Sequence, residues 1–372
     1  MSKLNRSHYL LGCRFDNWLY LLRDNHFLID KGRKAEVWYI SAISLILYPL
    51  AVLEKLIYDR RIKATEIDRQ PLYILGHWRS GTTYIQNILS QDPQFAWCDP
   101  VNTATISNCI LLKGLLEKAQ APLLKSARPM DNMKYDIHLP LEDAFGLATI
   151  SPYTIIHMIA FPHWFEKYIP CAFVADLPEE ERAKWRDAYL YMLKKLTYLH
   201  EGKQLMLKSP DNTAHVPALL EMFPAAKFIN IYRDPYTTIL STIHMFEKQM
   251  DVLAIGPKPE GDFPIMLEDT ILGIFERMYR ELFEIEKTLP PEQYISVRYE
   301  DFVKAPTVHL RKVYETLGLS GFEEALPRFE AYVENQRGYV KNRFQLNDRL
   351  REKINSRLGF YFEHYGYAME EE

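Results

Sequence analysis

The chain has 372 residues, 48% of them hydrophobic and 25% charged, with a net charge of −4. That is ordinary globular composition, with length enough for a large core or for about two or three domains. The basic excess that marks a nucleic-acid binder is missing, so nucleic acid is not an expected partner and any phosphate binding must be local.

Four cysteines, Cys13, Cys98, Cys109 and Cys171, show no C-x-x-C spacing. Neither a disulfide frame nor a zinc site is expected, and a reducing, cytoplasmic compartment fits. The first twenty residues lack a continuous apolar core and a small-residue cleavage site, so no secretory signal is read there. Residues 1–70 read as a mostly helical segment, packed on the core or lying at a membrane interface. Within it, Val37 to Leu53 carries no charge over 17 residues, a borderline length for a membrane span. It contains Ser41, Ser44 and Pro49, and reads in preference as a packed helix pair broken at Pro49. Between those readings stands an interfacial helix flanked by Arg33, Lys34, Lys55, Arg60, Arg61 and Lys63, with peripheral membrane contact through residues 35–58.

The chain is organised around Pro71 to Ser90, PLYILGHWRSGTTYIQNILS. Leu72 to Leu75 is a short apolar run of β character, and Gly76 breaks it. Gly81 follows five residues on, and Tyr84, Ile85, Ile88 and Leu89 then recur at helical spacing. Strand, glycine loop, helix is an anion-binding arrangement: backbone N–H groups turn inward and the helix N-terminus stands behind them. The Lys of a nucleotide-binding phosphate loop is missing after the second glycine, where Thr82 stands; the positive charge lies inside the loop, at Arg79.

Farther along, Ser126 to Pro140 reads as a loop, and Leu141 to Pro170 is aromatic and proline-rich without a clean period. A helix is predicted over Glu179–His200 and a strand over Gln204–Leu207, which runs into Lys208-Ser209-Pro210. A further strand, Lys227–Tyr232, leads to Arg233-Asp234-Pro235, where Asp234 as N-cap and Pro235 at the first position start a helix. Pro264 to Leu289 is amphipathic, Tyr294 to Val297 is a fourth strand, and residues 305–317 and 347–357 are helical. Strands alternating with helices predict an α/β fold with a parallel central sheet. The residues just past strands one, two and three then share one rim, where such sheets bind ligands.

The segment His77-Trp78-Arg79-Ser80-Gly81-Thr82-Thr83 resembles the 5′-phosphosulfate loop of the sulfotransferases, which use 3′-phosphoadenosine 5′-phosphosulfate (PAPS). Lys208-Ser209-Pro210, the Arg233-x7-Ser241 spacing and Arg298-Tyr299-Glu300-Asp301 extend the resemblance, which covers Leu72 to Tyr367 and is nearest to bacterial, tyrosylprotein and carbohydrate members. It implies a P-loop three-layer sandwich over residues 71–372, with a helical insertion on the acceptor side at about 99–200. It implies that Arg79, Ser80, Gly81, Thr82 and Thr83 hold the 5′-phosphosulfate and that Lys208 contacts the bridging oxygen. Arg233 and Ser241 would hold the 3′-phosphate, and Arg337-Gly338 would close over it, though these two are adjacent where the family pattern is Arg-x-Gly. PAP is then the product, and no metal is expected.

The general base does not carry over, because Pro210 stands where cytosolic members have a histidine. Glu142, His215, Asp99 and His157 are the candidates, in that order; His157 lies in an apolar run and reads rather as a core histidine. The stretch Phe145 to Phe173, with Tyr153, Phe161, Trp164, Phe165 and Tyr168, would wall a pocket for an apolar hydroxylated small molecule, a sterol or lipid, although core packing accounts for half of these residues or more. A carbohydrate acceptor is the nearest alternative. A P-loop kinase and a non-catalytic nucleotide-binding protein are the alternatives of other classes.

Overall fold

The protein's structure is a computed structural model that describes residues 8–120, 139–336 and 345–370. The chain opens with α1 (Phe15–Asp24) and α2 (Lys34–Ala64). α2 is continuous with Pro49 inside it, so the expected break into a helix pair does not occur. An interior proline loses one hydrogen bond and crowds the preceding turn, at about 3 kcal/mol. Ile40 on one side of Pro49 and Ala51 and Ile62 on the other are buried, and their packing carries the helix through.

β1 (Leu72–Leu75) and α3 (Thr82–Leu89) bracket the glycine loop. β2 (Phe95–Ala96), α4 (Pro100–Ala104) and α5 (Cys109–Gln120) follow. Most of the predicted loop Ser126–Pro140 lies outside the described residues. The stretch without a clean period holds α6 (Asp143–Ala148), α7 (His157–Ala160) and α8 (Phe165–Tyr168). Helices this short cannot display a 3.6-residue repeat. Then come α9 (Glu179–Leu199), β3 (Gln204–Lys208), α10 (Val216–Met222), β4 (Lys227–Tyr232), α11 (Pro235–Leu253), α12 (Phe263–Glu286) and β5 (Tyr294–Arg298). α13 (Tyr299–Phe302), α14 (Pro306–Thr316), α15 (Phe322–Asn335) and α16 (Asp348–Tyr365) complete the chain.

The strands form a parallel sheet in the order β2-β3-β1-β4-β5. β1 pairs with β4 from Leu72↔Lys227 to Leu75↔Asn230, and β4 with β5 from Phe228↔Tyr294 to Tyr232↔Arg298. β1 is where the strand order reverses, so the loop after it opens at a switch point of the sheet.

The chain divides into two compact units. The first comprises Met1–Gln70, Gln94–Leu207 and Lys248–Glu260; the second comprises Pro71–Pro93, Lys208–Glu247 and Gly261–Glu372. In the second, β1 is buried throughout; of the apolar stripe that the spacing in α12 predicts, Leu267, Ile271, Ile274, Met278 and Leu282 are buried and Ile285 is half-buried. In the first, helices pack on one another, with Trp185 and Tyr189 stacked inside at 5.3 Å. The four cysteines are free thiols and buried.

Candidate active site

The second unit builds its site from the loop after β1. Gly76 has φ +135°, and its N–H donates to Thr213 Oγ1 at 2.8 Å. A Cβ there would stand 2.4 Å from the Ile231 carbonyl oxygen, so only glycine fits. The His77 N–H donates to the Tyr279 hydroxyl at 3.3 Å, and its Nδ1 lies 3.1 Å from the Trp78 carbonyl oxygen. That contact places the ring proton on Nδ1, and burial pushes the imidazole down to about 3, so His77 is neutral. The Trp78 carbonyl also accepts from Thr242 Oγ1 at 3.0 Å.

Arg79 sits in the left-handed region at φ +68°, unusual for a residue with a side chain. Such strain clusters where surrounding bonds over-determine a conformation. Here Arg79 Nε donates to Ser241 Oγ at 3.0 Å, and the Arg79 carbonyl accepts from Arg233 Nη1 at 3.1 Å. Ser80 is buried, and Gly81, at φ +106°, caps α3, whose first residues are Thr82 and Thr83. A Cβ on Gly81 would stand 2.2 Å from the Tyr299 ring. The Arg233 guanidinium lies over the same ring, 4.4 Å from its centroid.

Lys208, at the end of β3, is buried, with Nζ 3.4 Å from Thr83 Oγ1. Asp234 caps α11 as expected, its carboxylate accepting from the Thr237 N–H at 2.8 Å. Glu300 accepts from the Asp234 N–H at 3.0 Å and from the Tyr367 hydroxyl at 2.7 Å. Through Glu300 the Arg298–Asp301 segment is bonded to the start of α11 and to Tyr367. Loop, β3 end and β4 end bring Arg79, Lys208, Arg233, Ser241 and the threonine hydroxyls into one neighbourhood, suited to an extended polyanion.

One residue of this neighbourhood lies in no motif that the sequence offered. Tyr361 donates to the Arg233 carbonyl at 3.0 Å and accepts from the Arg233 N–H at 3.3 Å. Tyr299, inside the Arg298–Asp301 segment, supports both Gly81 and Arg233. Arg337 and Gly338 lie outside the described residues.

The base candidates divide between the units. His215 is buried in the second, at the N-terminus of α10. Glu142, half-buried, precedes α6 in the first; its neighbour Asp143 accepts from the Tyr189 hydroxyl at 2.9 Å. Asp99 caps α4, accepting from the Asn102 N–H at 2.7 Å and from Asn102 Nδ2 at 3.0 Å. His157 is a buried core histidine, with Nε2 3.0 Å from the Ser151 carbonyl oxygen, and burial pushes it down to about 4. Of the aromatics expected to wall a pocket, Phe161, Phe165 and Tyr168 are core, Tyr153 is half-buried and Trp164 is exposed.

Known proteins resemble this chain along almost all of it. The sulfotransferase family profile matches residues 71–324. The chain is 31% identical over 363 residues, 96% of its length and 90% of the relative's, to the omega-hydroxy-beta-dihydromenaquinone-9 sulfotransferase Stf3 of Mycobacterium bovis, and equally to that of Mycobacterium tuberculosis. Among solved structures, sulfotransferase STF9 from Mycobacterium avium superposes with a TM-score of 0.60 at 17% identity, covering 97% of this chain and 98% of that one. Sulfotransferase STF1 from Mycobacterium tuberculosis gives 0.62 at 14% identity, covering 92% of each chain. The glycine loop, the strand-end cations and these matches agree: the chain belongs to the sulfotransferase family and is a sulfotransferase.

Proposed function

We propose that the chain moves a sulfuryl group from PAPS to a hydroxyl on a lipid-like acceptor. The observation that carries the donor half is the joining of Arg79, Ser241 and Arg233 by direct bonds around the loop. In this reading the loop from Arg79 to Thr83 takes the 5′-phosphosulfate, and Arg233 with Ser241 takes the 3′-phosphate. Lys208 stands at the bridging oxygen. The S–O bond to the phosphate breaks, its electron pair stays on PAP, and a new S–O bond forms to the acceptor oxygen. Lys208 meets the charge that develops on the leaving oxygen. The acceptor proton goes to Glu142 or His215. Asp99 and His157 are weaker candidates, since the Asp99 carboxylate caps a helix and His157 is held neutral in the core.

The acceptor half rests on the Stf3 relatives, whose name describes a menaquinone-derived lipid with a terminal hydroxyl. A hydroxylated polyprenyl lipid is therefore favoured over a sterol or a sugar. Such an acceptor lives in a membrane, and peripheral contact through residues 35–58 belongs to the same reading. Four buried free thiols suit a cytoplasmic protein.

Calorimetry with PAP and with ATP, each without magnesium, tests the donor: tight PAP binding and weak ATP binding are expected, and the reverse would return the kinase reading. Transfer of labelled sulfate from PAPS to a panel of hydroxylated prenyl lipids, sterols and sugars tests the acceptor. Labelled sugar with no labelled lipid would overturn the lipid class and leave the donor half standing.

A further inference from the structure

Helix α2 turns a run of large apolar residues outward. Its buried face is mixed, with Ile40, Ala51 and Ile62 beside Glu36, Ser44 and Glu54. Glu54 pairs with Lys195 and accepts from the Leu111 N–H at 2.7 Å; Glu36 pairs with Arg33 at 3.0 Å; Ser41 accepts from Trp18 Nε1 at 2.8 Å. Its outward face carries Trp38, Leu45, Ile46, Leu53, Leu56 and Ile57, each between 46% and 79% exposed. At 100° per residue these six fall on one side of the helix, with Ala42, Pro49 and Val52 between them. The stripe from Trp38 to Ile57 is about 28 Å long at the helical rise. Soluble surface helices place charge outward and apolar residues inward. Here both inward carboxylates are paired, Glu36 with Arg33 and Glu54 with Lys195, so the pattern is a built feature of the helix.

The stripe ends in positive charge on the same face. Lys34 stands before it and Arg60 after it, both exposed; Lys63, exposed beside Arg60, pairs with Asp59 at 2.8 Å. We infer that α2 lies flat on an anionic lipid bilayer, its apolar stripe in the acyl boundary and its basic ends on the headgroups. Two observations choose a bilayer over a second copy of the chain. A face with positive charge at both ends, laid on its own copy in either direction, sets cation against cation at each end. Anionic headgroups neutralise both ends at once. The helix lies on the membrane and does not cross it. By length and composition it would suffice to span. Its other face, however, is bonded to protein, and Lys194 Nζ donates to the Lys63 carbonyl at 2.7 Å. This deepens the lipid-acceptor reading but is tested apart from it, because vesicle binding needs neither donor nor acceptor.

The experiment is flotation of the full chain with phosphatidylcholine vesicles, with and without phosphatidylglycerol, at low and high salt. Flotation with the anionic vesicles is expected, weakened by salt. Trp38→Glu with Leu56→Glu should lower the bound fraction about tenfold. Lys34→Glu with Arg60→Glu should remove the preference for anionic lipid. All four positions are exposed, so circular dichroism melts should match the parent protein. Trp38 fluorescence should be quenched by brominated acyl chains, and Trp38→Phe should remove that quenching. A parent chain that stays unbound to anionic vesicles overturns the inference. So does a dimer in sedimentation that Trp38→Glu with Leu56→Glu disperses, since the face would then belong to a second copy.

Discussion

The two units put their buried polar groups to different uses. In the second, these groups gather at the ends of β1, β3 and β4, on irregular backbone: Gly76, Arg79 and Gly81 all have positive φ within six residues. Little of this arrangement serves the sheet; it aims cations and N–H groups at one place. In the first, buried polar groups are spread between helices and tie them together. Lys195 of α9 bonds Glu54 of α2 and the Ile106 carbonyl, and Tyr189 of α9 bonds Asp143 of α6. The difference teaches where damage should appear. A lesion in the first unit should cost stability, and a lesion in the loop should cost turnover.

The largest expected effect is at Lys195. Lys195→Met leaves the Glu54 carboxylate buried without its cation, at about 3–5 kcal/mol. Denaturant unfolding checks this, and Glu54→Leu with Lys195→Met should recover most of the loss. A single variant as stable as the parent would show that the pair does not hold α2 to α9. The loop should behave in the opposite way. Arg79→Gly relieves a left-handed backbone, so the melting temperature should hold or rise, by about 1 kcal/mol in stability. Turnover should fall about a hundredfold, as when a preorganised charge contact is lost. A variant that is both destabilised and active would break the comparison.

Acid should weaken the first unit more than the second. Burial pushes His8, His157 and His200 down to about 4 in the first unit, and His77 to about 3 in the second. A histidine whose folded value lies below its unfolded 6.5 stabilises the fold at higher pH, and that contribution is lost as pH falls from 6.5 through the folded value. Glu36, raised by burial, works in the opposite sense. Stability should therefore be level above pH 6.5 and fall towards pH 4, by at most about 1.4 kcal/mol per pH unit for each proton. Unfolding titrations should show His157→Gln reducing the slope between pH 6.5 and 4. An unchanged slope would mean that its ring is not held neutral.

Legibility in the sequence follows the same division. β4 could be bounded at Lys227–Tyr232 because Asp234 and Pro235 punctuate the chain right after it. The loop was readable because glycines at fixed spacing are demanded by backbone that no other residue fits. Arg79's left-handed backbone was not, since nothing local marks it. α15 was missed because Pro327 lies inside it. α16 was cut short at residue 357, although Tyr361, Phe362 and Tyr365 continue it. Proline also misled at Pro49, where distant packing outweighs a local preference. In residues 141–170 the helices are shorter than the period that would reveal them. Lys195 and Glu54 are 141 positions apart, and no spacing rule joins them.

Tyr361 carries the smallest and most specific prediction. Its buried hydroxyl bonds both backbone groups of Arg233, at a sequence separation of 128. The guanidinium itself is held elsewhere, over Tyr299 and on the Arg79 carbonyl. Tyr361→Phe keeps the ring packed against Phe275 and Tyr279, with centroids at 4.9 and 4.7 Å, and removes only the hydroxyl. The β4 end then loses its tether, and Arg233 loses registration while keeping its charge. If Arg233 holds the 3′-phosphate, PAP binding should weaken about fivefold, the worth of one net hydrogen bond. Binding of adenosine 5′-phosphosulfate, which has no 3′-phosphate, should change little. Calorimetry on the two nucleotides separates the cases. Equal weakening would make Tyr361 a support for the fold alone. Selective weakening would make it the residue that sets Arg233 for the donor, acting from the far end of the chain.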